Sequence, residues 1–353
     1  MTRPAHSFIL LVCSLVGAAH YLNAQILRPT TRVQPASEMV MTLRKDATAV
    51  EPLVKTDWVR SFLRATSSLP SIKPRSVYID PATKTFISHH AYLALPKTDA
   101  EKYHRQDMTE ENYYYTKYGS PLAYARALDL VGQHGMKDIR GRRVLDFGYG
   151  TVGHLRLLAS IGAFVVGVDV DSYLPAMYCE PGDVGSIKGI HGDSGFITLL
   201  NGRFPAEKAI AQTVGDGYDL IISKNTLKNG YIHPERPTDK RRLLDLGVTE
   251  DVFVAELFQR LKPGGRVMIY NICPAPAPPD KPYIPWADGR SPFTRDQWQK
   301  AGFRVVIFDQ DDTKAARALG HALGWDQGED PMNLESDLFA WYTYVERPAI
   351  GER

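Results

Sequence analysis

The chain has 353 residues, 44% of them apolar, which is enough to bury a core and excludes disorder as the main state. Forty-two Lys and Arg against 40 Asp and Glu leave a formal charge of +2, which argues against a general nucleic-acid binder. Three cysteines with no Cys-x-x-Cys exclude a disulfide scaffold and a thiolate zinc site.

The first elements read as an export signal. Arg3 is the only formal charge before the uncharged apolar run Phe8 to Ala19, and Leu22-Asn23-Ala24 offers a small residue before Gln25. That layout is a signal peptide over residues 1–24, because the run is shorter than the ~20 residues of a membrane span. The alternative is an uncleaved anchor. Export places the mature chain in a periplasmic or secreted compartment; an unused signal leaves it cytosolic. No later segment predicts a membrane span.

Residues 25–110 read as an N-terminal extension. Trp58, Val59, Phe62 and Leu63 recur at helical spacing behind a Thr56 cap. Ser76 to Ile79 and Phe86 to Ser88 flank Asp80-Pro81-Ala82-Thr83 as a hairpin. Next, Ser120-Pro121 opens a helix carrying Leu122, Ala125, Leu128 and Val131. From there, strands and helices alternate: strand 143–147, helix 151–161, strand 164–168, a weaker strand 187–191, strand 218–223, a helix capped by Thr249, and strand 266–271. Strand 304–308, helix 314–323 and strand 338–345 complete the series, and residues 348–353 form a tail. Apolar strands separated by amphipathic helices imply a parallel sheet covered on both faces. Ending on a strand suggests one antiparallel edge strand.

The chemistry concentrates at the junction Val144-Leu145-Asp146-Phe147-Gly148-Tyr149-Gly150-Thr151. Glycines there let a ligand approach the backbone, and the helix start presents free N–H groups. Asp169 ends the next strand, where a carboxylate can accept both hydroxyls of a ribose. Together these predict an adenosine-containing cofactor. Gly148-x-Gly150-x-x-Gly153 with its distant acid also fits a dinucleotide site, hence an NAD-dependent oxidoreductase. Asp146, however, would repel a pyrophosphate and welcome a sulfonium.

With Lys262-Pro263-Gly264-Gly265 before the fifth strand and the reversed final strand, residues 111–347 resemble the class I S-adenosylmethionine-dependent methyltransferases. The matching segments are Val144 to Thr151, Val165 to Asp169, His191-Gly192-Asp193, Tyr218 to Ser223 and Leu261 to Gly265. The resemblance implies an α/β, doubly wound, Rossmann-like seven-stranded sheet, mostly parallel with one antiparallel edge strand, plus the N-terminal extension. It implies S-adenosylmethionine as cofactor, held by Asp146, Gly148, Gly150, Thr151, Asp169 and, at the adenine amine, Asp193. It implies methyl transfer to a small-molecule acceptor. The alternative outside enzymes is an exported binding protein that keeps the fold without turnover. One departure is Val152, where the family usually has glycine.

The segment after the fourth strand should face the methyl group. His233 is the titratable base candidate there, or a histidine bonding a nearby carbonyl. Asn225 holds an acceptor or caps the strand end. Tyr113, Tyr114, Tyr115 and Tyr118 form an aromatic lid or ordinary packing. Tyr283, Trp286, Asp288 and Arg290, in and after a proline-rich stretch, frame a pocket or lie in a surface loop. Asp309, Asp311 and Asp312 read as a solvated charge run, and the His89-His90 pair has no ligand pattern, so no metal is assigned. After signal removal Cys179 and Cys273 remain. In the expected strand order 3-2-1-4-5 they sit three strand spacings apart, about 14 Å, too far to bridge, so both should be free thiols.

Overall fold

A computed structural model describes residues 36–115, 119–189 and 192–351. The signal-peptide reading on residues 1–24 and the tyrosine at 118 lie outside the described residues. Among those described, no helix is long and apolar enough to cross a membrane.

The N-terminal segment builds on two helices, Glu38–Val50 and Asp57–Arg64. Trp58, Val59, Phe62 and Leu63 are buried as their spacing predicts. Thr56 makes no cap with its side chain. Instead the Lys55 and Thr56 amides donate to Asp129 Oδ1 at 2.9 and 2.8 Å, and the Thr56 side chain packs where a Cβ on Gly132 would sit. Next come β1 (Arg75–Asp80), β2 (Thr85–Ser88) and β3 (His104–Met108), an antiparallel sheet in the order β2-β1-β3. The hairpin was expected. The third strand, His-Arg-Gln-Asp-Met, is too polar to read as one.

The main sheet has eight strands: β4 (Arg143–Phe147), β5 (Phe164–Asp169), β6 (Gly185–Lys188), β7 (Ser194–Asn201), β8 (Tyr218–Lys224), β9 (Leu261–Cys273), β10 (Arg304–Asp311) and β11 (Phe339–Glu346). Their order is β10-β11-β9-β8-β4-β5-β7-β6. The run β7-β5-β4-β8-β9 is parallel throughout. This is the doubly wound arrangement implied by the sequence, with one strand more. The reversed strand β11 lies inside the sheet, pairing antiparallel with both β9 and β10. The antiparallel edge is β6 on the opposite side. The third parallel strand is β7. Ile187, placed on that strand from sequence, belongs to β6 instead.

Side chains alternate between two cores. Val144, Leu220, Ile222 and Met268 join one, while Leu145, Ile221, Val267 and Ile269 join the other. The first core also contains Val40, Leu43, Phe62 and Val77, so residues 36–114 pack as part of the same body. Strand β8 is buried along its whole length at the centre. The chain leaves β4 toward β5 and later returns to β8 on the other side of β4. A crevice opens at such a switch point, at the carboxyl ends of the strands.

Cys179 and Cys273 are both free. Asp312 departs from the solvated-run reading. It is buried, accepts two bonds from Arg126, at 2.7 and 2.5 Å, and one from the Tyr270 hydroxyl at 2.9 Å.

Candidate active site

The glycine loop after β4 is shaped by contacts that only glycine permits. Gly148 has φ 78° and its amide donates to the Val168 carbonyl at 2.8 Å. A Cβ added there would stand 2.2 Å from Thr226 Oγ1. Gly150 has φ 57°. Gly153 starts the helix Gly153–Ser160, and a Cβ there would meet the Tyr114 carbonyl at 2.6 Å. That contact explains why a glycine is needed at 153. Val152 in turn is fully buried in the hydrophobic core rather than lining the cleft, so the departure from the family pattern does not narrow the site.

Asp169 ends β5 beside this loop. Its Oδ2 accepts from the Gly150 amide at 3.2 Å, and its Oδ1 from the Val170 and Asp171 amides at 2.7 and 3.1 Å. Burial raises its pKa from the ordinary carboxylate value, and the three amides work against that shift. Gly148, Gly150, Thr151, Asp169, Lys224 and Asn225 line one cleft of about 800 Å³. This is within the size range of small-molecule and cofactor sites.

The remaining predicted residues divide. Thr151 borders the cleft, but its hydroxyl is occupied by the Tyr113 and Tyr114 carbonyls, at 3.0 and 3.2 Å, and by the Tyr178 hydroxyl at 3.1 Å. Asp146 is fully buried and pairs with His154 Nε2 at 2.5 Å, behind the cleft wall. Its other oxygen, Oδ1, has no hydrogen-bond partner among the described residues. Tyr124 stacks on His154 with centroids 3.6 Å apart and forms part of the wall. Tyr113 and Tyr114 are core residues, whereas Tyr115 lines the cleft.

Three expectations are corrected. Asp193 precedes β7, at the amino end of a parallel strand, and lies 3.3 Å from Arg140 Nη2. The cleft is at the carboxyl ends, where Asn201 instead donates to the Asp169 and Asp171 carbonyls at 3.2 and 2.9 Å. His233 is bonded to the Pro292 carbonyl at 3.0 Å and stands 3.1 Å from Glu250 Oε1, in a separate surface cavity. It does not reach the glycine-loop cleft. Asn225 does line the cleft, but in the left-handed region at φ 64°, with Oδ1 accepting from the Ile272 amide at 2.7 Å. Its side chain caps the strand end.

Tyr283, Asp288 and Arg290 line a different cavity of about 500 Å³ beside Cys273, and Trp286 is not part of its wall. His89 Nδ1 bonds the Tyr78 hydroxyl at 3.0 Å. Among the described residues no group of three or more His, Cys, Asp or Glu side chains is gathered as a metal site would require.

Lys224 is the cleft residue that sequence reading passed over. It ends the buried strand β8, where the six residues before it, Tyr218 to Ser223, carry only one charge, on Asp219. A lysine closing such a run is the signal available.

No family model matches the chain, and no curated protein matches it. Solved structures are similar in outline. Phosphoethanolamine N-methyltransferase 2 of Haemonchus contortus, in complex with S-adenosyl-L-methionine, is 13% identical over 82% of this chain and 74% of its own, with a TM-score of 0.39. The cyclase SpnF is 17% identical over 67% and 87%, at 0.37. An arsenic(III) S-adenosylmethionine methyltransferase of Chlamydomonas reinhardtii is 18% identical over 60% and 65%, at 0.32. Likenesses this distant carry no chemistry across, and the site stands on its own geometry.

Proposed function

We propose that the chain binds S-adenosylmethionine in the glycine-loop cleft and transfers its methyl group to a small-molecule acceptor. The observation that carries this reading is the pairing of a loop with glycine at 148 and 150, both at positive φ, with the Asp169 carboxylate at a switch point of a doubly wound sheet. The residues suit that cofactor. Asp169 is placed to accept ribose hydroxyls. The unpartnered Asp146 Oδ1 behind the loop is a buried acceptor that favours positive charge nearby. Gly148 and Gly150 bring the backbone close without side chains.

When bound, the cofactor supplies an electrophilic methyl group. The protein's part is to position and to exclude water. Tyr124, Tyr115 and Tyr149 wall the cleft with aromatic faces suited to a cationic ligand. A cleft of about 800 Å³ leaves room for a small acceptor beside the cofactor. Mass spectrometry of ligand released from the purified full chain tests the proposal. S-adenosylmethionine or S-adenosylhomocysteine is expected, and a released nicotinamide dinucleotide would replace it with the oxidoreductase reading.

Export belongs to the same proposal. The apolar run Phe8 to Ala19 supports it, and protein recovered outside the cytoplasm should begin at or near Gln25 on N-terminal sequencing. Intact Met1 in a cytosolic fraction would remove it.

A further inference from the structure

Lys224 is buried, and its Nζ makes no hydrogen bond or ion pair among the described residues. It lies 5.4 Å from the centroid of the Tyr124 ring. Glu111, Tyr124, Asp169 and Asp171 line the same cleft, and the neighbouring strands and loop add further groups. β4 brings Asp146, already bonded to His154 of the following helix. β9 brings Tyr270, opposite Lys224 in register and bonded to Asp312. The loop after β8 brings Lys228, whose ammonium is held by the Ile272 and Trp286 carbonyls at 2.5 and 3.1 Å. The Tyr124 ring face offers an ammonium less than water does, so burial favours the neutral amine. Burial first, and then Lys228, push Lys224 down to about 7, with Asp146 opposing. Lys228, also buried, is pushed down to about 8.

We infer that Lys224, as a free amine in the cofactor cleft, is the proton acceptor of the methyl transfer, so that the acceptor is a hydroxyl or a thiol. This rests on the reading of the cleft as an S-adenosylmethionine site. A sulfonium and an ammonium in one small cavity repel, and the neutral amine removes that conflict. In the transfer, the acceptor's lone pair forms the bond to the methyl carbon. The carbon–sulfur bond breaks and its electron pair returns to sulfur. The acceptor's proton passes to Lys224 Nζ, which then holds the positive charge the sulfonium has lost. Lys224 can shed that proton to solvent near neutral pH, ready for the next cycle.

The sign of the pH effect follows. Below about pH 7 Lys224 gains a proton, and sulfonium binding must expel it. S-adenosylhomocysteine is an uncharged thioether at the same position and meets no such penalty. Calorimetry on the full chain with both ligands from pH 6 to 8.5 tests this. The affinity ratio of S-adenosylmethionine to S-adenosylhomocysteine should fall about tenfold per pH unit at the acid end and level off above neutrality. Heats compared in two buffers at pH 6 should show close to one proton released with the sulfonium and none with the thioether. Lys224→Met should bind both with a ratio that is flat in pH, and Lys224→Arg should keep the thioether while discriminating against the sulfonium at every pH. For any acceptor methylated by the wild type, Lys224→Met should slow turnover about 10²–10⁴-fold, with thioether affinity within about twofold. Both ligands binding wild type with a pH-independent ratio would overturn the role of Lys224 and leave the cofactor reading standing. So would a pH-dependent ratio that survives in Lys224→Met, or unchanged turnover in that variant. If neither ligand binds at any pH, the cofactor reading itself fails, and the inference with it.

Discussion

The two sides of the switch point are built differently. At the carboxyl ends of β4 and β5, nearly every polar group is committed within the protein. The Asp169 oxygens take three amides, the Thr151 hydroxyl takes two carbonyls and a hydroxyl, and one of the two Asp146 oxygens takes His154. At the end of β8, Asn225 is equally committed, but its neighbour Lys224 lines the same cleft with a nitrogen that makes no hydrogen bond or ion pair among the described residues. One end is a preorganised cradle whose strength lies in fixed backbone. The other carries an unsatisfied group able to change its protonation. In the proposed reading, binding belongs to the first and proton movement to the second.

The largest effect is expected from disturbing the cradle. In Gly148→Ala the methyl group meets Thr226 Oγ1 at 2.2 Å and holds a left-handed backbone at φ 78°. Stability should drop by about 2–4 kcal/mol in thermal or denaturant unfolding, combining backbone strain with overpacking. Adding Thr226→Ala should recover the overpacking share only. A Gly148→Ala variant as stable as wild type would show that the loop is not held as described.

Asp169→Ala should act next most strongly, and on binding. Losing a charge-assisted bond to the ligand costs about 1.5–3 kcal/mol, or about 10–100-fold in affinity for S-adenosylhomocysteine. Asp169→Asn should fall between, because the amide still accepts one bond.

His233→Ala sharpens the contrast from the other side. Its ring is exposed and bonded to the Pro292 carbonyl, so thioether affinity and any methylation rate should stay within about threefold of wild type, and stability within about 1 kcal/mol. A hundredfold loss of turnover would move the proton acceptor from Lys224 to His233.

Much of the cradle was legible because backbone geometry writes itself into sequence. A turn needing positive φ calls for glycine, and the strand before it must be apolar on both faces. Hence Gly148, Gly150 and Asp169 lie together at one cleft, and β4, β5, β8 and β9 stand where the sequence places them. The expected third parallel strand is misplaced because Ile187 and Ile190 supply an apolar signal before a polar turn, while β7 opens on Ser194-Gly195. That shift of a few residues carried Asp193 from the carboxyl end of a strand to the amino end, away from the cleft. The proton-handling side was not legible for a different reason. His233 follows Asn225 closely in sequence, but the short helix Asn229–Ile232 directs the chain toward Pro292 and Glu250. Along the chain Lys224 shows only as a lysine closing an apolar run; that its nitrogen makes no hydrogen bond or ion pair among the described residues is visible only in three dimensions.

In the proposed reading the glycine-loop cleft with Asp169 holds S-adenosylmethionine. Calorimetric titration of the full chain with S-adenosylhomocysteine and with NAD, in wild type and Asp169→Ala, tests it most directly. The account predicts saturable binding of the thioether that weakens about 10–100-fold in the variant, and no heat with NAD. Saturable binding of NAD with none of the thioether would contradict it.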